Sequence, residues 1–129
     1  MKRNLMIQAA FVLGIGFALV MSCKYDEMLP PEPDPTLQVM FSEDIVPIFN
    51  ASCNGAGCHN GSGHGPDLRA SVAYDQLWEG GYIDTKLPDQ SEIYLWMSGV
   101  KGLPMPVEGV NATYASKMLQ WIEQGGLNN

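Results

Sequence analysis

Apolar residues follow three regimes along this chain. The first is an almost unbroken run from Leu5 to Met21, interrupted only by Gln8 and by glycines, and preceded by Lys2 and Arg3. The second is an apolar-poor stretch from Tyr25 to Thr36, rich in Asp and Glu and holding Pro30, Pro31, Pro33 and Pro35. Such a segment cannot build a core and reads as an extended spacer, rising ~3.1 Å per residue where it is polyproline-like. From Leu37 onward apolar positions return with helical spacing, and the folded domain is expected over residues 37–129.

Within that domain Phe41 and Val46 bracket Ser42 like a hydrophobic staple around a capping residue. Glu43 and Asp44 suit the positive end of a helix dipole, and Pro47 is tolerated near a first turn. The helix so predicted runs through Ile48-Phe49-Asn50 into Cys53. A second helix is expected from Ser71 to Glu79, with Val72, Leu77 and Trp78 apolar, stopped at Gly80-Gly81. Asp89-Gln90-Ser91-Glu92 resembles an Asp-x-x-Glu cap and opens a third through Ile93, Trp96, Met97 and Val100, ended by Gly99 and Gly102. The last begins near Asn111, carries Tyr114, Met118, Trp121 and Ile122 on one face, and stops at Gly125-Gly126. Asn60 to Pro66 is a loop by composition, and Leu103-Pro104-Met105-Pro106 a stiff extended turn. No β-hairpin signal stands out. The pattern predicts an all-α domain of three to four short helices joined by long loops.

Charge narrows the partners. The 129 residues carry a formal net charge of −7. The N-terminal run is too short for a comfortable membrane span, and its basic start and Val20-Met21-Ser22-Cys23 ending read as a bacterial lipoprotein signal with its lipobox. Residues 1–22 would then be removed, Cys23 would carry the lipid, and 23–36 would form the spacer. The remaining five Lys/Arg against fourteen Asp/Glu give 5 − 14 = −9. Such a surface repels nucleic acid and favours a partner with a basic docking face, although acidity also simply keeps an exported protein soluble. The expected location is extracytoplasmic, lipid-anchored to a bacterial membrane. The lack of aspartate directly after Cys23 leans toward the outer membrane or cell surface.

The chemistry centres on Cys53-Asn54-Gly55-Ala56-Gly57-Cys58-His59. Cys-x-x-Cys-His is the attachment signature of c-type haem, and here the cysteines enclose four residues instead of two. Two other readings of the same residues stay open. Cys53 and Cys58 could form a disulfide in an oxidising compartment, or Cys53, Cys58, His59 and His64 could hold zinc. The chain has three cysteines, so lipidation of Cys23 leaves these two as a pair.

Taken in order, the first helix with its Pro47-Ile48 lead-in, the Cys-x4-Cys-His segment, Ser91-Glu92-Ile93-Tyr94, Met105-Pro106 and Trp121-Ile122-Glu123-Gln124-Gly125 resemble a class I-like c-type cytochrome domain. The resemblance is closest to the planctomycete-type domains of exported bacterial lipoproteins and covers the chain from about Leu37 onward. It implies three to four helices around one covalent haem c, with the first and last helices crossing beside it. It also implies thioether attachment at Cys53 and Cys58, His59 as proximal iron ligand and Met105 as distal ligand.

Three residues compete with Met105. Met97 and Met118 fall on apolar helix faces, where packing is the commoner role. His64 follows His59 too closely to pass to the other face of a haem. Phe49, Leu68, Trp78, Tyr82, Trp96 and Trp121 are expected as pocket and core residues, with Arg69 either at a haem propionate or on the surface. The resulting expectation is a membrane-anchored, single-electron carrier, since His/Met ligation leaves no open coordination position and no nucleophile–base pair stands out. The alternatives are a haem-bearing accessory subunit of a larger oxidoreductase or surface complex, and a haem-free lipoprotein that only binds a partner.

Overall fold

A π-helical turn, Phe41–Ile45, opens the folded chain and runs directly into α1, Val46–Ser52. The computed structural model describes residues 36–129; the expected signal segment 1–22, Cys23 and the expected spacer up to Pro35 lie outside the described residues. The wide turn comes immediately before Pro47, which has no N–H to give to a regular helical ladder. Ser42, expected as the capping residue, is instead inside the turn and exposed. Asp44 takes its place from the other side, its carboxylate accepting the Met40 N–H at 2.9 Å. The next two donors go to Asn129: Phe41 N–H to its side-chain oxygen at 2.8 Å and Ser42 N–H to its carbonyl at 2.9 Å. The orphan N–H groups of a helix start are thus met partly by a residue more than eighty positions away.

Three further helices follow: α2, Ala73–Glu79; α3, Glu92–Met97; and α4, Ala112–Glu123. A short 3-10 turn, Pro88–Gln90, precedes α3. The described residues contain no strand, so the all-α expectation holds. Asp89 does not cap α3; it lies in the 3-10 turn, and Ser91 is the residue at the helix start. The buried Ser91 hydroxyl accepts the Asp84 N–H at 2.9 Å and donates to the Asp84 carbonyl, pinning the preceding loop instead of the helix. α3 also stops earlier than expected. Gly99 takes a φ of 76° and turns the chain away, which leaves Val100 73% exposed instead of in the core. At α4 the expectation holds: the Asn111 side chain accepts the Tyr114 N–H at 3.1 Å. Gly126, at φ 59°, sends its N–H back to the Trp121 carbonyl.

The core lies between the first turn and α4. Phe41 meets Trp121 at 5.1 Å between ring centres and Tyr74 edge-on at 5.4 Å. Ile45, Phe49, Leu77, Met118 and Ile122 are fully buried around them. Each such side chain contributes about 1.5–3 kcal/mol relative to exposure. Polar straps then fix the chain entering α1 to α4. Val39 N–H donates to Gln124 Oε1 at 2.9 Å, and the Gln120 and Gln124 amides both donate to the Leu37 carbonyl at 2.8 Å. Lys117 Nζ adds a bond to Asp44 Oδ1 at 2.8 Å. Among the described residues no helix is long and apolar enough to cross a membrane.

That last contact sets a pH dependence. The bond from Lys117, then the one from the Met40 N–H, hold the Asp44 carboxyl below its ordinary range. A carboxyl whose folded pKa is depressed adds stability above its unfolded pKa and loses it as pH falls through the folded value. Asp44→Asn should therefore lower stability at neutral pH by about 0.5–1 kcal/mol, the scale of a solvent-screened pair. Denaturant titrations should show the variant and the parent converging as pH drops below the carboxylate range; a constant difference down to acid pH would show that the charge is not the cause.

Candidate functional site

α1 ends at Cys53, whose N–H reaches the Phe49 carbonyl at 2.9 Å, with Asn54 N–H on the same carbonyl at 3.0 Å. The chain then makes a closed loop. Cys58 N–H bonds to Gly55 O at 3.0 Å, and His59 N–H returns to Cys53 O at 3.1 Å. Gly55, Ala56 and Gly57 bulge outward into solvent, and Gly57 takes a φ of 78° that favours glycine. The wide spacing between the cysteines is absorbed by this exposed bulge, while its two ends are held together.

The loop that follows supports the first from behind. A Cβ on Gly63 would stand 2.3 Å from the Cys58 carbonyl oxygen and 2.5 Å from that of Gly57, so only glycine fits there. Leu68 N–H bonds to His59 O at 2.8 Å, and the Asn54 side chain joins Asn50 Oδ1 and Leu68 O. His59 Nδ1 lies 3.1 Å from the Pro66 carbonyl. A carbonyl only accepts, so in the neutral ring this contact places the proton on Nδ1 and leaves the lone pair on Nε2.

These residues border a cavity of about 460 Å³, within the range of small-molecule and cofactor sites. Cys53, Cys58, His59 and Met105 all line it, together with His64. Its walls are largely apolar: Phe49, Leu68, Tyr82, Ile93, Trp96, Met97 and Val107 contribute, with Pro66 and Pro106. Met105 reaches it from the loop after α3, its N–H held by the Trp96 carbonyl at 3.1 Å. Met97 is both buried and part of the wall, whereas Met118 is fully buried in the core and does not line the cavity.

Trp78 and Trp121, expected as pocket or core residues, do not line the cavity. Trp121 belongs to the core beside α1, with its Nε1 donating to Leu127 O at 2.9 Å, and Trp78 is a partly exposed residue whose Nε1 donates to Gly126 O at 3.3 Å. Arg69 does not line the cavity; it pairs with Asp67 at 2.6 Å on the surface. The four residues of the zinc reading border the same cavity, but among the described residues no three His, Cys, Asp or Glu side chains form a metal-holding group. Nor are Cys53 and Cys58 joined; both are free thiols.

Two acidic residues line the cavity, and neither stands out in the sequence as a site residue. Glu92 accepts a bond from Trp96 Nε1 at 2.8 Å and an ion pair from Lys101, and these, Lys101 first, keep its carboxyl below the ordinary range. Glu108 is exposed at the cavity edge. Burial is the main cause that pushes the Cys53 thiol up to about 11, with smaller contributions from Cys58 and Glu108. The spacing of Glu92 and Trp96, one helical turn apart, was the available signal for their contact. Nothing local marked Gly63 or the Pro66 carbonyl.

Two outcomes follow from this geometry. Gly63→Ala should cost about 1–3 kcal/mol, because the methyl group must displace backbone; an unchanged denaturation midpoint would show that the loop yields freely. In the folded chain free of any thiol modification, an alkylating reagent at mildly alkaline pH should label exposed Cys58 well before Cys53, since only the thiolate reacts and burial keeps Cys53 protonated. Peptide mass spectrometry reads the order, and equal rates would contradict it.

Comparison of the chain with protein-family models, with curated proteins and with solved structures returned no match.

Proposed function

We propose that this chain is a monohaem c-type cytochrome, an electron carrier and not an enzyme, with Cys53 and Cys58 as thioether sites, His59 as proximal ligand and Met105 as distal ligand. One observation carries the reading: a single apolar cavity is lined by all four residues, although Met105 comes from a loop remote in sequence. The donor set also fits haem. The His59 ring is oriented by a carbonyl on Nδ1, the arrangement that frees Nε2 for a metal. Two free thiols follow one another into that histidine, and a thioether sulfur stands in a proline-flanked turn. When bound, the haem iron supplies a one-electron couple, and an imidazole–thioether pair raises its potential. The chain's own part is to orient His59 through Pro66, hold the Met105 loop through Trp96, and keep water from the site with Phe49, Leu68 and Ile93.

The lipid anchor at Cys23 and the extracytoplasmic location belong to the same proposal, as does a redox partner with a basic docking face. Support for the partner comes from charge: residues 36–129 hold four Lys/Arg and ten Asp/Glu, 4 − 10 = −6. Three of the four cations already pair with Asp44, Asp67 and Glu92.

Expression in a host with cytochrome c maturation machinery tests the reading. Haem-dependent peroxidase staining should persist on a denaturing gel and vanish in the Cys53→Ala, Cys58→Ala double variant. Met105→Ala should retain the covalent haem, change the oxidised spectrum and lower the reduction potential. Absence of covalent haem in the parent chain overturns the proposal, and an unchanged spectrum and potential in Met105→Ala removes Met105 from the ligand set. Stable co-purification with a dehydrogenase would point to the accessory-subunit reading instead of a free carrier.

A further inference from the structure

The Met105 loop leaves α3 and comes back to it, and both ends of the excursion are tied to the same short helix. Lys101 N–H bonds to the Leu95 carbonyl at 3.1 Å, and Gly99 N–H to that of Trp96 at 3.2 Å. Met105 N–H then takes the Trp96 carbonyl as well, at 3.1 Å. Gly99 and Gly102, at φ 76° and 127°, make the bends between these points. Backbone alone would leave such a glycine-rich loop with little resistance to opening, because Val100 and Leu103 are 73% and 82% exposed and anchor nothing.

One side-chain strap spans it. Glu92, on the first turn of α3, binds Lys101 with one carboxylate oxygen and Trp96 Nε1, at 2.8 Å, with the other. Lys101 is the midpoint of the loop's outward path, and Trp96 is the residue whose carbonyl carries Met105. A single carboxylate therefore fixes both the loop and its anchor. Glu92 and Trp96 also line the cavity beside Met105.

We propose that Glu92 is a positioning residue for Met105, holding the loop through Lys101 and Trp96 so that the thioether is presented to the cavity at a fixed place. This rests on the haem reading above but is tested separately from it. The pair is half-exposed, with 44% of the Lys101 and 32% of the Glu92 side chain accessible, so its effect on overall stability is small. Its consequence is local, because the segment it restrains has few other restraints.

The test compares Glu92→Gln and Lys101→Met with Asp44→Asn, which removes an ion pair of the same kind remote from the cavity. In the apoprotein, amide hydrogen exchange at Met105 should speed up about two- to fivefold in the first two variants, the range expected for one screened pair. Asp44→Asn should change it no more than its loss of global stability accounts for. In the haem-loaded protein, the same two variants should bind exogenous imidazole at ferric iron more tightly by a similar factor, and the swap Glu92→Lys, Lys101→Glu should recover part of the loss. Unchanged Met105 exchange in Glu92→Gln and Lys101→Met overturns the proposal. So does an equal change in Asp44→Asn after correction for stability. If the chain takes up no haem the functional reading fails, while the exchange measurement still decides the role of Glu92.

Discussion

The packing of Phe41 against Trp121 carries the rest of the molecule. It joins the first turn to the last helix, and the bonds from Met40, Phe41 and Ser42 to Asp44 and Asn129 keep that turn formed. With its start held, α1 has only one direction in which to run, and it delivers Cys53 to the edge of the cavity. Aromatic contacts of this kind add to the area they bury, and here they are placed where the ends of the fold meet.

The cavity divides the domain into two kinds of structure. On the side of α1 and α4, buried side chains pack the two helices and side-chain amides tie α4 to the chain entering α1 across long separations. The loops after α1 and α3 are held largely by backbone bonds over short separations, with glycines at the bends, and the loop after α3 also leaves Val100, Leu103, Val107 and Val110 exposed. A domain this size buries a limited core, and a macrocycle held in its cavity would supply apolar surface to exactly the half that lacks it.

Much of this was legible in the residues. The helical spacing of Tyr114, Met118, Trp121 and Ile122, with Asn111 ahead and two glycines behind, marks α4 almost to its ends. The cysteines, His59 and Met105 were recognisable by type and neighbourhood, and they do share a cavity. What escaped depended on contacts distant in sequence. Ser42 is an excellent capping residue locally, but Asn129 satisfies its N–H and Asp44 does the capping. Val100 is a local case: it reads as part of the apolar face of α3 although Gly99, a stop visible in the sequence, comes before it. Trp121 is as suitable for a pocket as Trp96, and only the packing of α4 on Phe41 separates their roles.

If the two cysteines are the thioether sites proposed above, the closed loop from Cys53 to His59 bears on how a site of that kind is found. Because the His59 N–H grips the Cys53 carbonyl, the distance between the ends is set by that bond and not by how many residues lie between them. Gly55, Ala56 and Gly57 face solvent and touch none of the cavity wall. The bulge itself takes no part in the cavity wall, so what its length must satisfy is the return to Cys53. A search pattern that demands a fixed count between the two cysteines would pass over this chain, while one keyed to the histidine, the proline carbonyl behind it and the downstream methionine turn would keep it.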